Sequence, residues 1–266
     1  MNNSIPKIAT RFKNYQKEMR DIWESFCIIE FYMPKVQECI KDDILPPLDV
    51  DLLFDTTTKT NSKDDTYGAL HSLSVKSNYR RTLLESVLTF EDYMSDLIET
   101  VYLDYPNKLS AKNDDDNSTS GYHKLLKVIL DSDNKDEIID KVVEEKIRSV
   151  FYGNPLDVFE KDKAKLEFGT YFKDNCKEEL ILFKSIVALR NIVAHNNGRV
   201  DRKYIREADK NATLGQVVKI ERQFLKDAIY NLSLLSTYAT SLTLENVYKV
   251  ETQGKLARQK NLFDRR

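Results

Sequence analysis

The chain has 266 residues, enough to bury a substantial core, and its 32% charged residues, seven glycines and six prolines suit long helices better than a turn-rich all-β fold. A net charge of −2 exerts no general pull on nucleic acid, so any RNA contact has to come from a local patch. Cys27, Cys39 and Cys176 are odd in number and lack CxxC spacing, and His71, His123 and His195 are scattered, so no disulfide framework, metal or cofactor is expected.

In chain order, Ile8, Phe12, Tyr15, Met19, Ile22, Phe26, Ile29, Met33, Val36 and Ile40 alternate four and three apart. This heptad-like seam predicts a long helix, laid along a bundle or against a partner. Pro34 is expected to kink or split it near Met33. From Lys41 to Gly68 the text turns irregular and reads as a loop, with a short extended piece at Val50–Phe54. A second long helix is predicted over 76–105, on a stripe of Leu83, Val87, Phe90, Met94, Leu97 and Val101. Arg80 and Arg81 open it, either exposed to solvent or placed to contact phosphate. Glu91 stands between its apolar lines, either a boundary glutamate or a partly buried carboxylate that pairs with Arg190 or orients His195.

Tyr105 to Gly121, with Asp114-Asp115-Asp116, reads as a polar loop whose aspartates are solvated. Shorter helices over 122–131 and 135–150 lead to a mixed stretch ending near Lys173, and then to a helix over 175–197. Gly215–Ile220 looks briefly extended. The last long helix covers 221–246, carrying Phe224, Ala228, Ile229, Leu232, Leu235, Ala239 and Leu242. The tail from Lys249 holds six basic residues against Glu251 and Asp264 and reads as a solvated end or as an RNA contact. Neither a signal-peptide core nor a membrane span is legible, which predicts a cytoplasmic protein.

The helix over 175–197 carries the chemistry. Leu180, Phe183 and Val187 step along one face, and the next position on that face is Arg190, where the pattern alone would put another leucine. A guanidinium in a packed seam is costly unless an anion or acceptor meets it. Asn191 and His195 lie about one turn apart, so the amide is placed to hold the imidazole in one orientation. Asn196-Asn197-Gly198 reads as the helix stop, with Gly198 suited to a left-handed position. Arg190 and His195, five residues apart, diverge by roughly 140° on an ideal helix. Two copies of the helix packed about a two-fold axis would bring both pairs into one cleft.

Arg190-Asn191-x-x-x-His195, continuing through Asn196-Asn197-Gly198-Arg199-Val200-Asp201, resembles the signature of the HEPN superfamily: an arginine, four to six residues, then a histidine. Ser86-Val87-Leu88-Thr89-Phe90-Glu91 is similar to the early helix of the same bundles, and the resemblance covers residues 70–245. It implies an all-α HEPN-like bundle over 69–247; the residues themselves read as an N-terminal helical extension and loop over 1–68, which the resemblance does not reach, long polar loops, and a basic tail over 248–266. It further implies a homodimer through the Arg190–His195 helix and a metal-independent endoribonuclease that leaves 2′,3′-cyclic phosphate and 5′-hydroxyl ends. Such an enzyme would act as a toxin or anti-phage effector, restrained by an antitoxin or other regulatory partner. Arg190, Asn191 and His195 would be catalytic, with Glu91, Asn196 and Tyr204 in support and Arg80, Arg81 and Arg199 on the RNA. Tyr204 would stack a base, or else sit in the core. Two other readings stay open: a buried polar knot in which Arg190 bonds Glu91 and His195 caps its own helix, and a non-catalytic dimerisation or nucleotide-binding module.

Overall fold

A computed structural model describes residues 4–51, 58–109, 134–151 and 153–265. Among them the chain is all-α apart from one small ribbon. Helix α1 (Ser4–Lys41) leads to strands β1 (Asp49–Asp51) and β2 (Thr58–Thr60), and α2 (Lys63–Ser72) passes through a π-helical turn at Leu73–Ser77 into α3 (Asn78–Asp104). There follow α4 (Lys135–Phe151), α5 (Asp157–Glu160), α6 (Tyr171–Asn175), α7 (Lys177–His195), α8 (Arg202–Glu207), α9 (Arg222–Leu242) with a π-helical end at Thr243–Val247, and α10 (Gly254–Phe263). No helix among the described residues is long and apolar enough to cross a membrane. The expected helix over 122–131, the run Asp114–Asp116 and His123 lie outside the described residues.

The α1 seam is buried from Ile8 through Phe26 and again at Ile40, and half-buried at Ile29, Met33 and Val36. The helix does not split at Pro34. That proline lies on the exposed side, where the carbonyl four residues earlier can take water in place of the missing amide. The stretch after α1 also corrects the sequence reading, because α2 begins at Lys63, inside the expected loop. Ser62 accepts from the Asp65 amide at 3.1 Å while Asp65 accepts from the Ser62 amide at 3.3 Å, a reciprocal capping box. Strands β1 and β2 pair antiparallel with Asp49 opposite Thr60.

The described residues fall into two compact units, and the long helices contribute to both. The first contains the start of α1, most of α3, α4 to α6, the first half of α7, and the chain from Asn231 on. Its core is aromatic. Phe159 packs on Phe172 at 4.7 Å and on Phe183 at 5.5 Å between ring centroids, and Tyr15 stacks on Tyr93 at 4.4 Å. Within α9 every residue from Asn231 to Leu242 is buried, including Ser233, Ser236, Thr237, Thr240 and Ser241. Thr237 and Thr240 donate to carbonyls four residues back at 2.6 Å and Ser236 to the Ser233 carbonyl at 3.0 Å, so these three hydroxyls are satisfied on their own helix.

The tail is not a loose solvated end. Residues 254–263 form α10, which buries Leu256 and Phe263, and Asp264 accepts from the Tyr238 hydroxyl at 2.7 Å. Lys260 donates to Glu245 at 2.9 Å.

The second unit comprises Lys17–Leu88 and Ala188–Tyr230. In it, Arg222 bonds Glu30 at 2.7 Å and lies over the Trp23 ring, while Tyr79 donates to the other oxygen of Glu30 at 2.8 Å. The Asn78 side chain donates to the Phe26 carbonyl at 3.1 Å. The first turn of α3 is thereby fastened to α1.

Candidate functional site at the end of α7

Helix α7 starts with Glu178 and Glu179 in its first turn and ends at His195, a charge order that suits the helix dipole. Its apolar lines behave differently toward the C-terminus. Ile186, Leu189 and Val193 stay buried, whereas the line of Leu180 and Phe183 becomes half-buried at Val187 and Arg190 and exposed at Ala194. Arg190 therefore stands at the edge of the core rather than in a dry seam, which reduces the desolvation cost that its place in the sequence implies.

The helix stops as the asparagines and glycine predict, and both Asn197 (φ 51°) and Gly198 (φ 76°) are left-handed. The Ile192 carbonyl accepts from the Asn196 amide at 2.9 Å and from the Gly198 amide at 2.8 Å. Backbone amides thus satisfy this end of the helix. His195 is exposed, and among the described residues its ring meets no hydrogen-bond partner. It does not cap its own helix, which removes that part of the polar-knot reading. Asn191 is turned toward arginine instead of histidine: its Oδ1 accepts from Arg190 Nη1 at 3.0 Å. The amide holds the guanidinium and leaves the imidazole free.

The other expected residues divide by what they touch. The Asn196 amide group donates to the Arg199 carbonyl at 2.7 Å, closing the turn behind His195. Arg199 is exposed, and its backbone forms an isolated antiparallel bridge with Val217, so the segment expected as extended over 215–220 pairs as a bridge rather than a strand. Arg81 is exposed and has no side-chain partner among the described residues. Arg80 is committed elsewhere. Its Nη1 donates to Asn197 Oδ1 at 2.5 Å and its Nη2 to the Asn197 carbonyl at 2.8 Å. A Cβ on Gly198 would lie 2.9 Å from that Nη2.

Tyr204 is a core tyrosine, 9% exposed, and burial raises its pKa. It offers no open ring for a base. Its amide donates to the Asp201 carboxylate at 2.7 Å, the N-cap of α8. Glu91 is half-buried on α3 and belongs to the first unit, whereas Arg190 and His195 belong to the second.

The stretch from Arg190 to Lys210 is locally cationic, holding Arg190, Arg199, Arg202, Lys203, Arg206 and Lys210 against Asp201, Glu207 and Asp209. Along this stretch the balance of charge is opposite in sign to that of the whole chain. Among the described residues no group of three or more His, Cys, Asp or Glu side chains could hold a metal ion. No known protein family, characterised protein or solved structure matches this chain.

Proposed function

We propose that the protein is a metal-independent endoribonuclease of HEPN type, acting as a homodimer in a toxin or defence role under the restraint of a partner. The reading is carried by the condition of His195. It is an exposed imidazole with no hydrogen-bond partner among the described residues, at the end of an ordered helix and inside the cationic stretch. A histidine used for packing or capping is normally bonded. One free to exchange a proton with a ligand is what acid–base chemistry on a polyanion needs.

In this mechanism His195 takes the proton of a ribose 2′-hydroxyl as the oxygen attacks the adjacent phosphorus. The bond to the 5′-oxygen breaks, and its counterpart in a second copy protonates that leaving oxygen. Arg190, oriented by Asn191, is the cation assigned to the non-bridging oxygens as negative charge builds on them. The divergence of Arg190 and His195 along one helix is the reason two copies are invoked. Arg81 and Arg199 supply phosphate contacts from exposed positions.

The test is RNA incubated with purified protein in EDTA, with the new ends analysed. Cyclic-phosphate ends are expected, and His195→Ala is expected to lower the rate by ~10²–10⁴-fold while leaving the helical spectrum unchanged. RNA bound but never cut by the wild type favours a non-catalytic RNA- or nucleotide-binding module. Unaltered cutting by the mutant removes His195 from the chemistry.

A further inference from the structure

We propose that Arg80 is a positioning residue that latches the turn behind His195, rather than a phosphate contact. This role rests on the reading of His195 as the reacting acid or base. Three consecutive residues at the start of α3 each reach a different point of the second unit. Asn78 bonds the Phe26 carbonyl, Tyr79 bonds Glu30, and Arg80 grips both the side-chain and main-chain oxygens of Asn197. The first two anchor this turn to α1, so the third carries a fixed reference to the end of α7.

The receiving turn is shaped for that grip. With Asn197 left-handed, its Oδ1 and its carbonyl are both presented to one guanidinium, the fork geometry that arginine matches and lysine does not. Gly198 has no Cβ where one would press on Nη2 at 2.9 Å. On its far side the turn is tied by the Val218 amide to the Gly198 carbonyl at 2.9 Å. His195 lies two residues before Asn197 and has no side-chain bond of its own among the described residues. Its aim is therefore set through the backbone, and the guanidinium sets that backbone from α3. Two of its five N–H donors are spent on Asn197, which fixes the guanidinium on this turn.

The test has two arms. In RNA cleavage, Arg80→Ala is expected to lower kcat by ~10–100-fold, as for a misplaced reacting group, with KM within about twofold; Arg80→Lys, which keeps the charge without the fork, recovers only part of the rate. A rise in KM at unchanged kcat, with a salt dependence weakened by about one phosphate contact, overturns the latch. The second arm needs no activity. The ring signals of His195, assigned by His195→Gln, are followed by NMR in wild type, Arg80→Ala and Asn197→Gly, the last keeping the backbone acceptor and losing the side-chain one. Shifted or broadened His195 signals in both variants, larger in Arg80→Ala, with His71 unchanged, support the latch. Unchanged His195 signals overturn it. Should wild type cut no RNA, the nuclease reading falls while the ring signals still decide the role of Arg80.

Discussion

Gly198→Ala tests the architecture of the motif turn through the coupling of that glycine to Arg80. Two costs are expected. An L-residue at φ 76° is strained by ~1–2 kcal/mol whatever the space around it. The new methyl would also meet Arg80 Nη2 at 2.9 Å, so the guanidinium must shift, and the largest effect is loss of its grip on Asn197. Losing that two-pronged contact, between a half-buried arginine and an exposed asparagine that water partly rescues, costs about a further 1–2 kcal/mol. Gly198→Ala alone should therefore destabilise by about 2–4 kcal/mol, the sum of both effects. In an Arg80→Ala background the contact is already gone, and the same substitution should cost only the ~1–2 kcal/mol of backbone strain. Urea unfolding of wild type, both single variants and the double variant measures this as a coupling of about 1–2 kcal/mol. Additivity within about 0.5 kcal/mol would refute the close approach of Arg80 to this turn.

Pro34→Ala should stabilise α1 by ~1–3 kcal/mol, because it restores an amide donor in mid-helix; a fall in Tm would mean that the proline ring itself is packed. Burial first, then the hydrogen bond and charge of Glu30, raise the Tyr79 phenol from 10.0 to about 12. The folded state thus holds this proton more tightly than the unfolded chain. Its contribution is complete below pH 10 and fades as pH rises toward 12. Alkaline unfolding should show this loss in wild type and lack it in Tyr79→Phe, and identical pH profiles would contradict the assignment. Phe263→Ala should lower stability by about 3–5 kcal/mol, the cost of emptying a buried aromatic site, as read by urea unfolding. No change would mean that α10 does not hold the first unit together.

Local signals in the sequence are faithful wherever the physics is local. The α1 seam marks a buried helix face because a four-three alternation has no other simple packing solution, and Asn196-Asn197-Gly198 marks a helix end because left-handed backbone needs those residues. Ser62-x-x-Asp65 carried the start of α2 in plain text, but the Thr- and Asp-rich surroundings drew it into a loop reading. In the tail, Leu256 and Phe263 fall seven apart on one helix face, a signal masked by the charges between them. Ser236, Thr237 and Thr240 of α9 look polar and are buried, because a side chain bonded to its own helix no longer needs water.

The site divides along the same line. Arg190, Asn191 and His195 were legible as a group. Their wiring was not, since Asn191 has two polar neighbours within a turn and the spacing does not choose between them. Arg80 and Asn197 are 117 residues apart. A tight Asn-Gly turn announces exposed carbonyls, but which cation comes to meet them depends on tertiary packing that no short window contains.

The central claim is that His195 transfers a proton from a ribose 2′-hydroxyl. One measurement addresses it most directly: cleavage of a mixed-sequence RNA and of its fully 2′-O-methylated copy, each with wild type and His195→Ala in EDTA. Only wild type should cut, and only the unmodified RNA. Cutting of the methylated copy, or equal cutting by both proteins, would contradict it.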